Sequence, residues 1–198
     1  MIEIKRTNRY TFAIDGQTIE ATRIGRGRFC TAYRATQDPA RVLLVVSDTD
    51  FAKDILADAD GPTIPRCVLL GQTATGRVFE TDYSETVSAK RNADAWRIMK
   101  TLEATRDRVW REHMIARVDY SLGYSIAFET IERADVPATI KDDLNVLLSS
   151  AANYGSSYSF EFAKRNTGVT TSGLIQFRDC VFDLETLAPR RRAKNFRN

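Results

Sequence analysis

The sequence predicts an α+β fold, with a small β-rich N-terminal part followed by a reduced, mainly helical one. Three observations predict it. Short alternating or apolar runs, separated by Gly, Pro and Asp turn signals, fill residues 9–83. A long charged stretch, 88–117, carries apolar residues at helical spacing. A further helical stretch begins at Pro137, a residue suited to a helix start. The 198 residues suffice for one domain or two small lobes, and 43% are apolar, enough for a sizeable core. No apolar run approaches the ~18 residues of a membrane span, so no membrane association is expected.

Residues 9–14 and 17–24 alternate apolar and polar around Asp15-Gly16, a pair that accepts the positive φ of a tight hairpin. Thr22–Arg34, TRIGRGRFCTAYR, then reads as strand, glycine turn, strand. Such a turn lets backbone N–H groups approach phosphates, because glycine lacks Cβ and tolerates left-handed φ. A turn at Gln37–Ala40 leads to Arg41–Val46, whose RVLLVV run is that of a buried strand. Asp48 or Thr49 is expected to cap a helix over Asp50–Ala59, with Phe51, Ile55 and Leu56 on one face. Gly61-Pro62 ends it. Strands over Cys67–Gln72 and Arg77–Tyr83 follow, turning at Thr75-Gly76. Counted from the strand that enters the glycine turn, these are five strands with one helix after the third.

In Ser88–Arg117, Trp96, Met99, Leu102, Val109 and Trp110 fall near one stripe, as core packing requires, opposite a charged face. Arg117–Thr130 alternates through Val118, Tyr120, Leu122, Tyr124, Ile126 and Phe128, which predicts a strand or a hairpin bent at Gly123. From Pro137, the residues Ile140, Leu144, Leu147 and Leu148 mark a helix ending near Tyr154-Gly155. Val169, a turn at Thr170–Gly173, and Leu174–Phe177 make a hairpin.

Cys30, Cys67 and Cys180 have no metal-ligand spacing and read as buried thiols of a reducing compartment, so the cytoplasm is expected. His113 has no partner motif and reads as ordinary packing or solvation. A net charge of +3 does not by itself imply nucleic acid. The tail Pro189–Asn198 concentrates Arg190, Arg191, Arg192, Lys194 and Arg197; it is either a solubilising tail or, together with the basic helix Lys90–Arg117, a phosphate-contacting surface.

Two separated motifs carry a resemblance. Gly25, Gly27 and Phe29 form the glycine turn, with Tyr33 at a fixed offset. Downstream, Glu161 is followed five residues later by Asn166, then by the hairpin, then by Asp179. An acid, an amide five residues on, a hairpin and a metal-binding aspartate form the catalytic spacing of protein kinases. The chain resembles protein kinases over roughly residues 20–83 and 137–183, and especially the early Ser/Thr protein kinase of short-tailed bacteriophages. That group shares the G-x-G-x-F-x-x-x-Y pattern and a Ser-Phe pair before the catalytic loop, here Ser159-Phe160.

The resemblance implies a two-lobed kinase-like fold: a small lobe over 1–85, a reduced large lobe over 86–187 and a basic tail over 188–198. It implies ATP and Mg²⁺ in the cleft, with Gly25, Gly27 and Phe29 over the phosphates, Glu161 as catalytic base, and Asn166 and Asp179 as metal ligands. It also implies a phage protein acting early in takeover of the host, in the host cell cytoplasm.

Departures from the pattern matter as much. The third-strand lysine position holds Leu44, or Val45 on a one-residue slip. Only Lys53 or Arg34 would supply a cation from elsewhere. Glu161 is longer than the usual aspartate, Cys180-Val181 replaces Phe-Gly, and no activation segment follows. Taken singly, Asn166 would do no more than support a turn and Asp179 cap a strand. Three readings follow: a pseudokinase that binds a host protein, an active divergent Ser/Thr kinase, or a nucleic-acid-binding protein using its basic helix and tail. Residues 88–130 have no counterpart in the pattern and are the first candidate for a partner-binding surface.

Overall fold

The structure, a computed structural model, describes residues 2–6, 10–74, 76–114 and 120–185. Strands β1 (Glu3–Arg6), β2 (Tyr10–Ile14), β3 (Gln17–Arg26), β4 (Cys30–Ala35), β5 (Arg41–Ser47), β6 (Cys67–Thr73) and β7 (Gly76–Asp82) form one antiparallel sheet in the order β1-β2-β3-β4-β5-β7-β6. The sheet therefore has seven strands: the five counted from β3, the expected β2 ahead of them, and β1, which no sequence signal marks. Asp15 and Gly16 both have positive φ, 49° and 76°, as the right-handed twist of a two-residue hairpin demands.

The sheet curls until its ends meet. The N–H of Ile2, just before β1, donates to the Gln72 carbonyl of β6 at 2.6 Å. Gly71, at φ +150° beside a register shift in β6, leaves room for Ile2, whose Cδ1 would stand 3.3 Å from an added Cβ. β5 explains its continuous apolar run: Leu43 joins Phe12, Ile19, Tyr33 and Val78 in one core, while Val42, Leu44 and Val46 join Phe79 and the helices in a second. A strand buried on both faces has no need of alternation.

The helices are α1 (Ala52–Ala57), α2 (Ala93–Met114), α3 (Gly123–Arg133) and α4 (Ala138–Ala152). Helix α1 is shorter than expected and is not capped by Asp48 or Thr49. Its N-terminal N–H at Ala52 is met by Asp50 Oδ1 at 3.2 Å. Arg77 of β7 holds it to the sheet through Asp54 Oδ1 at 2.5 Å and the Asp50 carbonyl at 2.7 Å. Buried Asp143 of α4 accepts both N–H and O–H from Thr63, at 2.7 and 2.6 Å, which fixes the loop leaving α1.

Helix α2 begins at Ala93 rather than Ser88, because Asn92 folds back onto the Ser88 N–H and opens the helix. Met99, Leu102 and Val109 are buried, as their spacing requires. His113 of α2 pairs with Glu129 of α3 at 2.5 Å.

The expected strand over 117–130 is overturned where it is described. Residues 115–119 lie outside the described residues, Tyr120–Leu122 form a 3₁₀ turn, and α3 follows. The segment satisfies two periods at once. Besides its alternation, Gly123, Ile126, Ala127, Thr130 and Ile131 stand at i, i+3, i+4, i+7 and i+8, and these are the residues that α3 buries.

Among the described residues five further short strands follow: β8 (Glu85–Thr86), β9 (Tyr158–Phe160), β10 (Thr167–Val169), β11 (Ile175–Phe177) and β12 (Val181–Asp183). β10 and β11 form the expected hairpin, with β8 on its other side, and β9 pairs with β12. A continuous core joins the outer face of the large sheet to α1–α4 and to these strands. Among the described residues, no helix is long and apolar enough to cross a membrane.

Cys67 and Cys180 are buried, as expected, while Cys30 is only half-buried. Desolvation pushes the Cys30 and Cys67 thiols up to about 11 and raises Cys180 as well. Above pH ~8.5 an unfolded thiol loses a proton that the folded one keeps, so stability falls as pH rises. The expected loss is up to about 1.4 kcal/mol per pH unit for each thiol. Thermal unfolding under reducing conditions between pH 8 and 10.5 measures it; a Tm that stays level across that range would contradict the buried thiols.

Candidate functional site

A cavity of about 1190 Å³ opens between the curled sheet and the β9–β12 region. All six residues singled out in the sequence line it: Gly25, Gly27 and Phe29 on one wall, and Glu161, Asn166 and Asp179 on the other. The chain brings them together across more than 130 residues because β3 and β4 form the roof while β9, β10 and β12 place the loops beneath.

The glycine turn is closed by the Gly27 N–H donating to the Cys30 carbonyl at 2.7 Å. Neither Gly25 nor Gly27 uses the left-handed φ that glycine tolerates; the described glycines that have a positive φ are Gly16, Gly71, Gly155 and Gly173. An added Cβ would meet nothing closer than 4.0 Å at Gly25 and would stand 3.4 Å from the Cys30 oxygen at Gly27. The glycines keep the loop face bare rather than satisfy a backbone requirement.

Asn166 organises the opposite wall. It ends a 3₁₀ turn, Lys164–Asn166, and its Nδ2 donates to Glu161 Oε2 at 3.0 Å and to the Glu161 carbonyl at 3.2 Å. Its own carbonyl accepts the N–H groups of Arg178 and Asp179, at 3.1 and 3.2 Å. Arg165 takes the other carboxylate oxygen, Nη2 to Glu161 Oε1 at 2.5 Å. Arg178 reaches across to the Ser84 carbonyl and Thr86 Oγ1, both at 2.9 Å, tying this wall to β8 and the strand-end loop before it.

Lys53, which the motif spacing does not mark, enters the same cavity. Leu44 lines the cavity from β5 and supplies no cation. Instead α1 delivers Lys53, whose side chain is 3% exposed. Its Nζ donates to Asp179 Oδ1 and to the Arg178 carbonyl, each at 2.6 Å. Burial is the largest single influence and opposes the charge, but the charge and hydrogen bond of Asp179, together with Cys30 and Cys67 nearby, outweigh it, and the ammonium is held above the ordinary lysine range. Arg34, the other candidate, lies over the Tyr83 ring at 3.7 Å and donates to the Pro39 carbonyl at 2.6 Å. A signal for Lys53 does exist in the sequence. It stands three residues before Leu56, on the face of α1 that Ala52, Ile55 and Leu56 bury.

Eight cationic side chains and five carboxylates line the cavity, so it favours an anion. A divalent metal fits less well. Among the described residues, no three His, Cys, Asp or Glu side chains gather as a metal site. Asp179 already neutralises Lys53, and the Asn166 amide nitrogen faces Glu161. A divalent ion about 4 Å from an ammonium is repelled by roughly 8 kcal/mol at an effective dielectric of 20. The tail cations Arg190, Arg191, Arg192 and Lys194 lie outside the described residues.

Compared with known proteins, the chain matches no family model and no curated protein.

Proposed function

We propose that this is a protein kinase-like protein whose cleft binds a nucleoside triphosphate and transfers its phosphate weakly or not at all, acting instead by contact with a host protein. The observation that carries the reading is the buried Lys53–Asp179 pair inside the cavity roofed by the glycine turn. The phosphate-holding cation missing from β5 reaches the site from α1. From β3 onward the chain also has the layout the resemblance implies: a glycine turn between two strands, a third strand, a helix, then two more strands. Ala32, Val42 and Leu44 present an apolar wall suited to a base, and Arg26 and Arg28 of the turn suit phosphates.

Weak transfer is inferred from the position of Glu161. Its side chain is a methylene longer than the usual aspartate and is tethered by the Arg165 guanidinium and the Asn166 amide, and a misplacement of about 1 Å costs on the order of 100-fold. A divergent but active Ser/Thr kinase is the second reading, favoured by the cation that Lys53 restores.

The test is thermal unfolding with ATP, alongside labelled-phosphate transfer on the same sample. A saturating ligand that binds only the folded state adds about 2.7 kcal/mol at 100 times its Kd. The expected result is a clear rise in Tm with little or no transfer. Efficient transfer by wild type, lost in Asp179→Asn at a temperature where that variant is still folded, would establish the second reading. An unchanged Tm at saturating ATP would refute both.

A further inference from the structure

Resting on that reading of the cleft, we infer that the Lys53 ammonium takes the place of a divalent metal at Asp179, so that the protein binds nucleoside triphosphate without metal. The metal in a phosphate site neutralises the aspartate that faces it and draws in the phosphate oxygens. Here the first task is already done by the chain. Lys53 Nζ stands 2.6 Å from Asp179 Oδ1, on a side chain withdrawn from water.

The second Nζ contact, to the Arg178 carbonyl at 2.6 Å, fixes the ammonium in position. An ammonium has three N–H donors; these two contacts leave one for a ligand oxygen. The carbonyl that holds Lys53 belongs to Arg178, whose N–H and that of Asp179 both rest on the Asn166 carbonyl. Asn166 therefore acts as a positioning residue for the Lys53–Asp179 pair and for Glu161, rather than as a metal ligand. Phosphate charge is met by the cationic lining of the cavity, including Arg26 and Arg28 of the turn and Lys164 and Arg165 opposite. These groups are part of the chain, so their attraction does not depend on a metal ion, although it weakens with salt.

The experiment measures ATP affinity, by thermal shift and by direct titration, in excess EDTA and in millimolar Mg²⁺. Wild-type protein is expected to bind ATP in EDTA within about threefold of its affinity in Mg²⁺, a difference under about 0.7 kcal/mol. Lys53→Met, which keeps most of the stem but removes the charge, is expected to bind roughly 10- to 100-fold more weakly in EDTA, the loss typical of a charge-assisted contact. Because the variant vacates Asp179, added Mg²⁺ or Mn²⁺ is expected to restore part of that binding, whereas it restores nothing in wild type. Binding by wild type only in Mg²⁺ would overturn the inference and leave the nucleotide reading standing. Lys53→Met binding as tightly as wild type in EDTA would also overturn it. No ATP binding in either condition would overturn both. The wild-type comparison decides the matter even if Lys53→Met does not fold.

Discussion

Gly123→Ala is expected to lose about 3 kcal/mol of stability, although alanine favours a helix interior over glycine by about 1 kcal/mol. The two effects have opposite signs, so the direction alone is informative. A Cβ at Gly123 would stand 2.4 Å from the Ser157 oxygen, 2.6 Å from its carbonyl carbon and 2.9 Å from the Tyr158 oxygen. These are backbone atoms and cannot rotate away. They are also pinned, because the Ser156 carbonyl accepts the Tyr124 N–H and the Ser157 carbonyl accepts the Leu184 N–H, both at 3.0 Å. Relief of the clash would have to move β9, which leads directly into Glu161. Urea unfolding of the variant measures the loss. A midpoint equal to or above that of wild type would mean that α3 does not approach β9 as closely as described.

The second large effect is an asymmetry between the partners of the buried pair. Asp179→Asn is expected to destabilise the fold by about 3 kcal/mol, because it leaves the Lys53 ammonium buried without its counter-charge. Lys53→Met is expected to cost less, about 1 kcal/mol, because the Asp179 side chain is 48% exposed and returns to water, leaving the Arg178 carbonyl as the partner that loses its donor. The Lys53→Met, Asp179→Asn double variant should then recover most of what Asp179→Asn loses.

The pH dependence provides a separate check with a definite sign. In wild type the Lys53 value is raised, so its contribution is complete below the ordinary lysine range and declines only as pH rises through the folded value. In Asp179→Asn the largest opposition to burial is gone and only Cys30 and Cys67 still favour the charge, so the Lys53 value falls and the deficit relative to wild type shrinks as pH rises. Equal losses for the two single variants, or a deficit that widens at alkaline pH, would contradict the pair.

The sheet was legible because its signals are local. Asp15-Gly16 specifies a hairpin through the φ values its two residues accept, and the RVLLVV run of β5 reports burial on both faces. The β10–β11 hairpin was legible for the same reason. β1 carries no such signal: it is completed by the long-range contact between Ile2 and Gln72. In 120–130 the local signal pointed to the wrong period. A chain that alternates and also repeats at i, i+4 is decided by what it packs against, and Ser157–Tyr158 accept a helix with glycine at its first turn.

The sequence by itself determined the α+β class, most of the large sheet, and which loops carry the six residues that line the cavity. That information lies in turn chemistry and in the spacing of neighbouring residues. Only the tertiary structure decided how the cavity is charged. Lys53 and Asp179 are 126 positions apart, and nothing local to either predicts a 2.6 Å contact. The seating of α1, held by Arg77 from the sheet, decides that Lys53 rather than Arg34 is the buried cation of the site. The same holds for Glu161: its carboxylate was legible, but its engagement by Arg165 and Asn166 required the fold.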